Sequence, residues 1–411
     1  MTTPSADPVA DGPRRLRLLQ LAALISTCDR FAIAPLLVPV AVSFGVPLAA
    51  AAGAAGGYFL AYGLMQVVWG VLSDRIGRVR VMRIALIGAV LGGLASVLAP
   101  TLPVLIVARV LTGACTSALI PATLVYVGDS WPASVRQRPL SDLLAATAVG
   151  TALATAGAGL LADLAGWRVV FGTTAAAAAV LLVALRALPE PVPAEPAPAR
   201  GADADGPARG WSTLRPVGTV LGTGWAWVVL VLAFVEGAVV LGVLTYLAPA
   251  LQAGGSTAAL AGIAAGGYGV GALLFSRVVR RLVGRVPAAA LAGIGGAFLA
   301  AAWVGPIVVV HPVTVALAGL MLGGCWAFLH STLQTWATDV VPQARATAVA
   351  LFATMLFLGS SAGTALGAPL ADTDRFGALF LAALVVSVPL GVAAALARAR
   401  YARHRPPRAQ T

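Results

Sequence analysis

The sequence predicts an all-α membrane protein: twelve transmembrane helices in two pseudo-symmetric six-helix bundles. Three observations carry that expectation. The 411 residues are 59% hydrophobic and only 10% charged, against about 25% charged in soluble domains, so no soluble core could hide the apolar surface. Apolar runs of about 20 residues, the length that crosses a bilayer, recur along the whole chain. Short segments of the first half also reappear in the second at a nearly constant offset.

Taken in order, the apolar runs cover 18–42, 48–72, 81–99, 103–127, 141–161, 169–188, 222–247, 258–279, 288–310, 313–337, 347–370 and 376–397. Each is closed by Gly, Pro or charged residues, which end a helix or leave hydrocarbon. The break after the second run holds Gly70, Asp74, Arg75, Gly77 and Arg78, a polar hairpin between long uncharged flanks. After the sixth run comes a stretch rich in Pro, Ala and acids that has nothing to bury and reads as a flexible linker. The expected organisation is a tail at 1–17, a six-helix bundle at 18–188, the linker at 189–216, a second bundle at 217–397 and a basic tail at 398–411.

Sidedness follows from the basic residues, all 27 of which are arginine. With an inside N-terminus, Arg168 and Arg375 alone fall on the outer side, while Arg30 and Arg109 lie within spans. The positive-inside rule therefore puts both termini in the cytoplasm. The expected setting is a bacterial plasma (inner) membrane, with the lipid bilayer and a small-molecule substrate as partners and the protein as a monomer. Arginines dispersed over short loops do not make a nucleic-acid surface, despite the net charge of +12. Cys28, Cys115 and Cys325 sit apart inside apolar runs, without disulfide or metal spacing, and read as small buried hydrophobes. No P-loop or nucleophile elbow is present. Gly267 to Gly271 brushes a dinucleotide fingerprint only inside a span, where no strand precedes it. No enzyme, metal or organic cofactor is expected; a proton gradient is the expected energy source.

The repeat divides the chain at the linker. Ala54-Ala55-Gly56-Gly57-Tyr58 recurs as Ala264-Ala265-Gly266-Gly267-Tyr268, and Asp129 with Pro132 as Asp339 with Pro342, both offset by 210. Leu161-Ala162-Asp163 recurs as Leu370-Ala371-Asp372, offset by 209. Two related bundles facing one another are a common build of secondary transporters, with the substrate path between them. The hairpin from Gly70 to Arg78 then resembles the G-x-L-S/A-D-R-x-G-R signature of the major facilitator superfamily. Arg109 with Gly113 resembles its R-x-x-x-G signature in span 4. Gly166-Trp167-Arg168 and the arginines from Arg277 to Arg285 fit the same family. The resemblance covers nearly the whole chain, and the first motif from Cys28 to Pro39 is most like the proton-driven efflux antiporters. One departure stands out. The antiporter signature of span 5 lacks its Gly-Pro centre, and only Gly150, Ala154, Ala158 and Gly159 keep its small-residue spacing.

Charges inside hydrocarbon need a cavity or a partner. Asp29 and Arg30 in span 1, Arg109 in span 4 and Glu236 in span 7 qualify. At 1.5 Å per residue, Asp29, Arg109 and Glu236 all fall roughly 17–21 Å above the inner face. Asp29 and Arg30 are adjacent and point about 100° apart, so Asp29 needs a partner elsewhere; Arg109 is the expected one. That pair is either a proton-responsive switch or a static buried ion pair. Glu236 is expected to recognise a proton or cation, or to hydrogen-bond a neighbour. His330, with Trp326 one turn away, either lines the path or simply packs. By the resemblance, Asp74 caps the N-terminus of span 11 when the cytoplasmic side is closed, and Arg78 pairs with Asp129. The resulting functional expectation is alternating access, with proton-coupled efflux of small apolar or amphipathic compounds. Proton-coupled uptake of an organic anion or sugar is the alternative, and a non-transporting receptor a remote third.

Overall fold

The computed structural model describes residues 12–132, 134–191 and 215–404. Most of the expected linker, with Arg200 and Arg209, and the chain ends at 1–11 and 405–411 lie outside the described residues. Among the described residues, eleven helices are long and apolar enough to span a bilayer. They are span 2 (Leu48–Ile76), span 3 (Arg78–Leu98), span 4 (Leu102–Ser130), span 5 (Gln137–Ala165), span 6 (Trp167–Ala187), span 7 (Gly224–Ala253), span 8 (Ala258–Leu282), span 9 (Ala288–Val308), span 10 (Pro312–Val340), span 11 (Pro342–Asp372) and span 12 (Phe376–His404).

Span 1 corrects the expectation of one continuous helix. It is a pair, Gly12–Phe31 and Ile33–Phe44, bent by 42°. Pro35 has no N–H to offer the Phe31 carbonyl and its ring crowds that oxygen, so the helical ladder opens around Ala32. Counted as one crossing, the pair brings the total to twelve. Several helices outrun their apolar stretches; span 12 continues to His404, because a helix goes on past the hydrocarbon where hydropathy stops marking it.

The packing repeats. Span 1 lies on span 5, span 2 on span 4 and span 3 on span 6; in the second half the same pairs recur as 7 on 11, 8 on 10 and 9 on 12. The halves meet where span 2 packs on span 11 and span 5 on span 8, two contacts that a twofold exchange of the halves interconverts. Glycines permit the close approaches. At Gly359 and Gly363 a Cβ would run into the Phe234 and Ala238 backbone of span 7, and at Gly159 into Ala258 of span 8. The outer surface is apolar: Leu98, Val308 and Leu366 are each more than 75% exposed. Such a belt suits lipid, not water. The chain is a multi-pass membrane protein.

The two ends differ. At the arginine-poor end, the Asp163 carboxylate, closing span 5, accepts hydrogen bonds from the Ala258 and Ala259 N–H groups of span 8 at 3.2 and 2.8 Å. Asp372, closing span 11, accepts one from the Ala49 N–H of span 2 at 3.3 Å. Each acid satisfies orphan donors at the start of a helix in the other half. The arginine-rich end has no such strap among the described residues.

Candidate functional site

Midway along span 1, next to the break at Ala32, Asp29 and Arg109 come together. The Arg109 Nη1 and Nη2 atoms each donate to a different Asp29 carboxylate oxygen at 3.0 Å, and Nη2 also donates to the Asp29 carbonyl at 3.0 Å. Both residues are buried. The guanidinium lies between the Tyr58 ring, 4.8 Å from its centroid, and the Phe171 ring, 4.7 Å away. Tyr58 is itself held by a 2.7 Å hydrogen bond with Thr116. A fork-to-fork pair flanked by rings is a strong, geometrically exact interaction. Its Nε atom is left without a partner.

In the second half the counterpart is not an arginine pair. Glu236, fully buried in span 7, meets His330 of span 10, with Oε2 and Nδ1 3.3 Å apart. The His330 ring stacks on Trp326, centroids 3.5 Å apart and planes 10° from parallel. The other Glu236 oxygen has no hydrogen-bond partner. Both helices depart from α-geometry here: Ala238–Gly242, just after Glu236, and Trp326–His330 each form a π-helical turn. Single π-turns of this kind gather at functional positions. They leave no mark in the hydropathy pattern.

Arg30 points elsewhere, as its adjacency to Asp29 requires. Its guanidinium carbon lies 4.9, 5.3 and 5.4 Å from the ring centroids of Phe31, Tyr62 and Phe357. It forms no ion pair among the described residues. The aromatic partners come from spans 1, 2 and 11, so Arg30 sits where the two halves meet. Two surface grooves, of about 470 and 200 Å³, are lined by apolar residues including Ile263 and Leu317 or Leu24 and Val170. Neither includes a charged side chain.

The hairpin at the arginine-rich end is well ordered by charge. Arg78 joins Asp74 at 2.5 Å and Asp129 of span 4 at 3.2 Å, and donates to Ser73 as well. Arg75 lies exposed at the end of span 2 and Gly70 faces open space. Gly77 turns the chain with φ +103°, a conformation reserved for glycine. Asp74 is 73% exposed and bonds Arg78 rather than span 11, whose N-terminus carries no side-chain cap. The expected cross-half contact of Asp74 is thus open in this conformation. Sequence reading missed Glu190, whose carboxylate accepts from the Val79 N–H at 3.0 Å and the Arg80 N–H at 3.3 Å. It caps span 3 and ties the start of the linker to the hairpin. Asp163 and Asp372 were noticed only as a repeat; their position beside a predicted helix start was the available signal.

Two facing six-helix halves around buried, paired charges repeat the common build of secondary transporters. The chain belongs to the Major Facilitator Superfamily, whose family profile matches residues 19–364. Among curated relatives, a triacylglyceride transporter of Mycobacteroides abscessus is 29% identical over 37% of this chain. The quinolone resistance protein NorB of Staphylococcus aureus is 28% identical over 31% of it. The matched stretches span only about a third of those relatives' lengths, 31% and 28% respectively. A bacterial homologue of the human lysosomal transporter Spinster, in an inward-facing unoccupied conformation, superposes with a TM-score of 0.72 at 18% identity, over 97% of this chain and 99% of its own. At that identity the likeness speaks for the fold.

Proposed function

We propose that the protein is a proton-coupled exporter of small apolar or amphipathic compounds in a bacterial plasma membrane, with both termini cytoplasmic. The observation that carries the reading is the buried Asp29–Arg109 pair beside the break in span 1. A carboxylate held by an arginine, on a helix already interrupted, gives a proton and a conformational change a common address. Protonating Asp29 removes the charge that holds Arg109, and the guanidinium then seeks another acceptor. Span 1 shifts with it, so the two protonation states favour different arrangements of the halves. With the arginine-rich end facing the cytoplasm, the caps made by Asp163 and Asp372 hold the halves together at the outer end.

The reading is tested in proteoliposomes containing the purified full-length chain. An imposed pH gradient is expected to drive substrate flux in the wild type. Asp29→Asn is expected to abolish the gradient dependence while leaving substrate exchange at equal pH. Full gradient-driven flux in Asp29→Asn would falsify the coupling role.

A further inference from the structure

We propose that the central site takes an organic anion attached to a planar apolar body, with Arg30 as the anion-binding residue. The inference rests on the transport reading above and deepens it by naming the cargo. At this level of the membrane the charges divide unequally. Asp29 and Arg109 neutralise one another through two hydrogen bonds, and Glu236 is engaged by His330. Arg30 alone has neither hydrogen bond nor ion pair among the described residues.

A cation in a low-dielectric interior is costly unless something negative reaches it. The three rings around Arg30 compensate part of that cost, since each aromatic face attracts a cation by about 0.5–2 kcal/mol. The Arg30 Nε lies buried without a hydrogen-bond partner, a donor that an anionic ligand would satisfy. A guanidinium edge matches a carboxylate bidentately. Arg30 is only partly buried, whereas Glu236 is fully enclosed. The accessible charge at the meeting of the halves is therefore positive.

The rings indicate what the anion is attached to. Phe31, beside Arg30, packs on Tyr268 with centroids 5.6 Å apart, and Tyr268 packs edge-on against Trp326 at 6.2 Å. Trp326 is the partly exposed member at the far end of this row, and its ring also stacks on His330. Phe31 and Tyr268 are buried in this conformation, so a flat apolar body would reach the row from Trp326 as the halves part, its anionic group at Arg30 and its distal edge at Trp326. The row joins spans 1, 8 and 10, so such a ligand touches both halves at once.

The experiment is equilibrium binding of three radiolabelled probes sharing one body: 2-naphthoate, 2-naphthamide and a naphthylmethyl trimethylammonium cation. The purified full-length protein is measured in lipid nanodiscs with no gradient. Naphthoate is expected to bind at least tenfold more tightly than the amide or the cation. Arg30→Gln is expected to weaken naphthoate at least tenfold, the loss of a charge-assisted hydrogen bond, and to leave the amide within about twofold by the same reasoning. Arg30→Lys, which keeps the charge without the fork, is expected to recover part of the loss. Amide binding by Arg30→Gln also reports that the variant is folded. The inference is overturned if the cation or the amide binds as well as naphthoate, if Arg30→Gln binds naphthoate normally, or if none of the probes binds. Because no gradient is used, each of these outcomes leaves proton coupling through Asp29 to be judged separately by flux.

Discussion

At the scale of single residues, the Asp29–Arg109 pair is the member of the site that sequence reasoning reached most directly. Helix rise placed both at one depth, and the adjacency of Asp29 to Arg30 forced a partner from another helix. What could not be read was the quality of the contact, because the Tyr58 and Phe171 rings that clamp Arg109 come from spans 2 and 6, far apart in the chain. Glu236 and His330 were visible singly, and their pairing needed the packing of spans 7 and 10. The buried pair also makes a thermodynamic prediction. Removing one partner strands the other charge, so Arg109→Met is expected to destabilise the fold by about 3–5 kcal/mol. Combining it with Asp29→Leu is expected to restore most of that loss, since an apolar pair of similar volume is about neutral. Reversible unfolding in mixed detergent micelles checks both. Equal losses in the single and double variants would mean that the pair is not the source of the penalty.

At the scale of helices, the apolar runs located the crossings because hydropathy reports what lipid requires. It is silent on geometry within a helix. Pro35 was in plain sight, yet a proline in a span is often absorbed by neighbouring groups, so the break at Ala32 became visible only in three dimensions. The π-turns after Glu236 and at His330 had no sequence mark at all. Gly359, Gly363 and Gly367 of span 11 form a packing seam whose partner is span 7. Gly359 is the sharpest case, because a methyl group there meets the Phe234 carbonyl, a backbone atom that cannot swing aside. Gly359→Ala is expected to lower stability by about 1–3 kcal/mol, the usual cost of overpacking, and to lower the melting temperature in detergent. Gly218→Ala, where nothing lies nearby, is expected to leave it nearly unchanged.

At the scale of the whole molecule, the repeat predicts a symmetric frame and the straps break that symmetry. Asp163 and Asp372 occupy equivalent positions in the two halves, each capping a helix of the other half at the arginine-poor end. At the opposite end only the first-half hairpin offers an aspartate, Asp74, because the second-half hairpin keeps arginines and lacks an acid. The arginine-poor end is thus tied by two caps, whereas Asp74 is turned to Arg78. An exposed cap contributes about 0.5–1 kcal/mol, so removing both Asp163 and Asp372 shifts the balance between the two open states by about 1–2 kcal/mol, roughly five- to thirtyfold. The variant carrying Asp163→Ala and Asp372→Ala is expected to expose the arginine-poor end, and Asp74→Asn to favour the arrangement described above. Cysteines placed at Ala49 and Ala259 for one end, and at Gly70 and Arg345 for the other, report access to an impermeant thiol reagent from each side of oriented vesicles. Labelling at the arginine-poor end should rise severalfold in the double variant and fall in Asp74→Asn. Identical labelling in all three proteins would mean that the carboxylates seat the helices without weighting the two states.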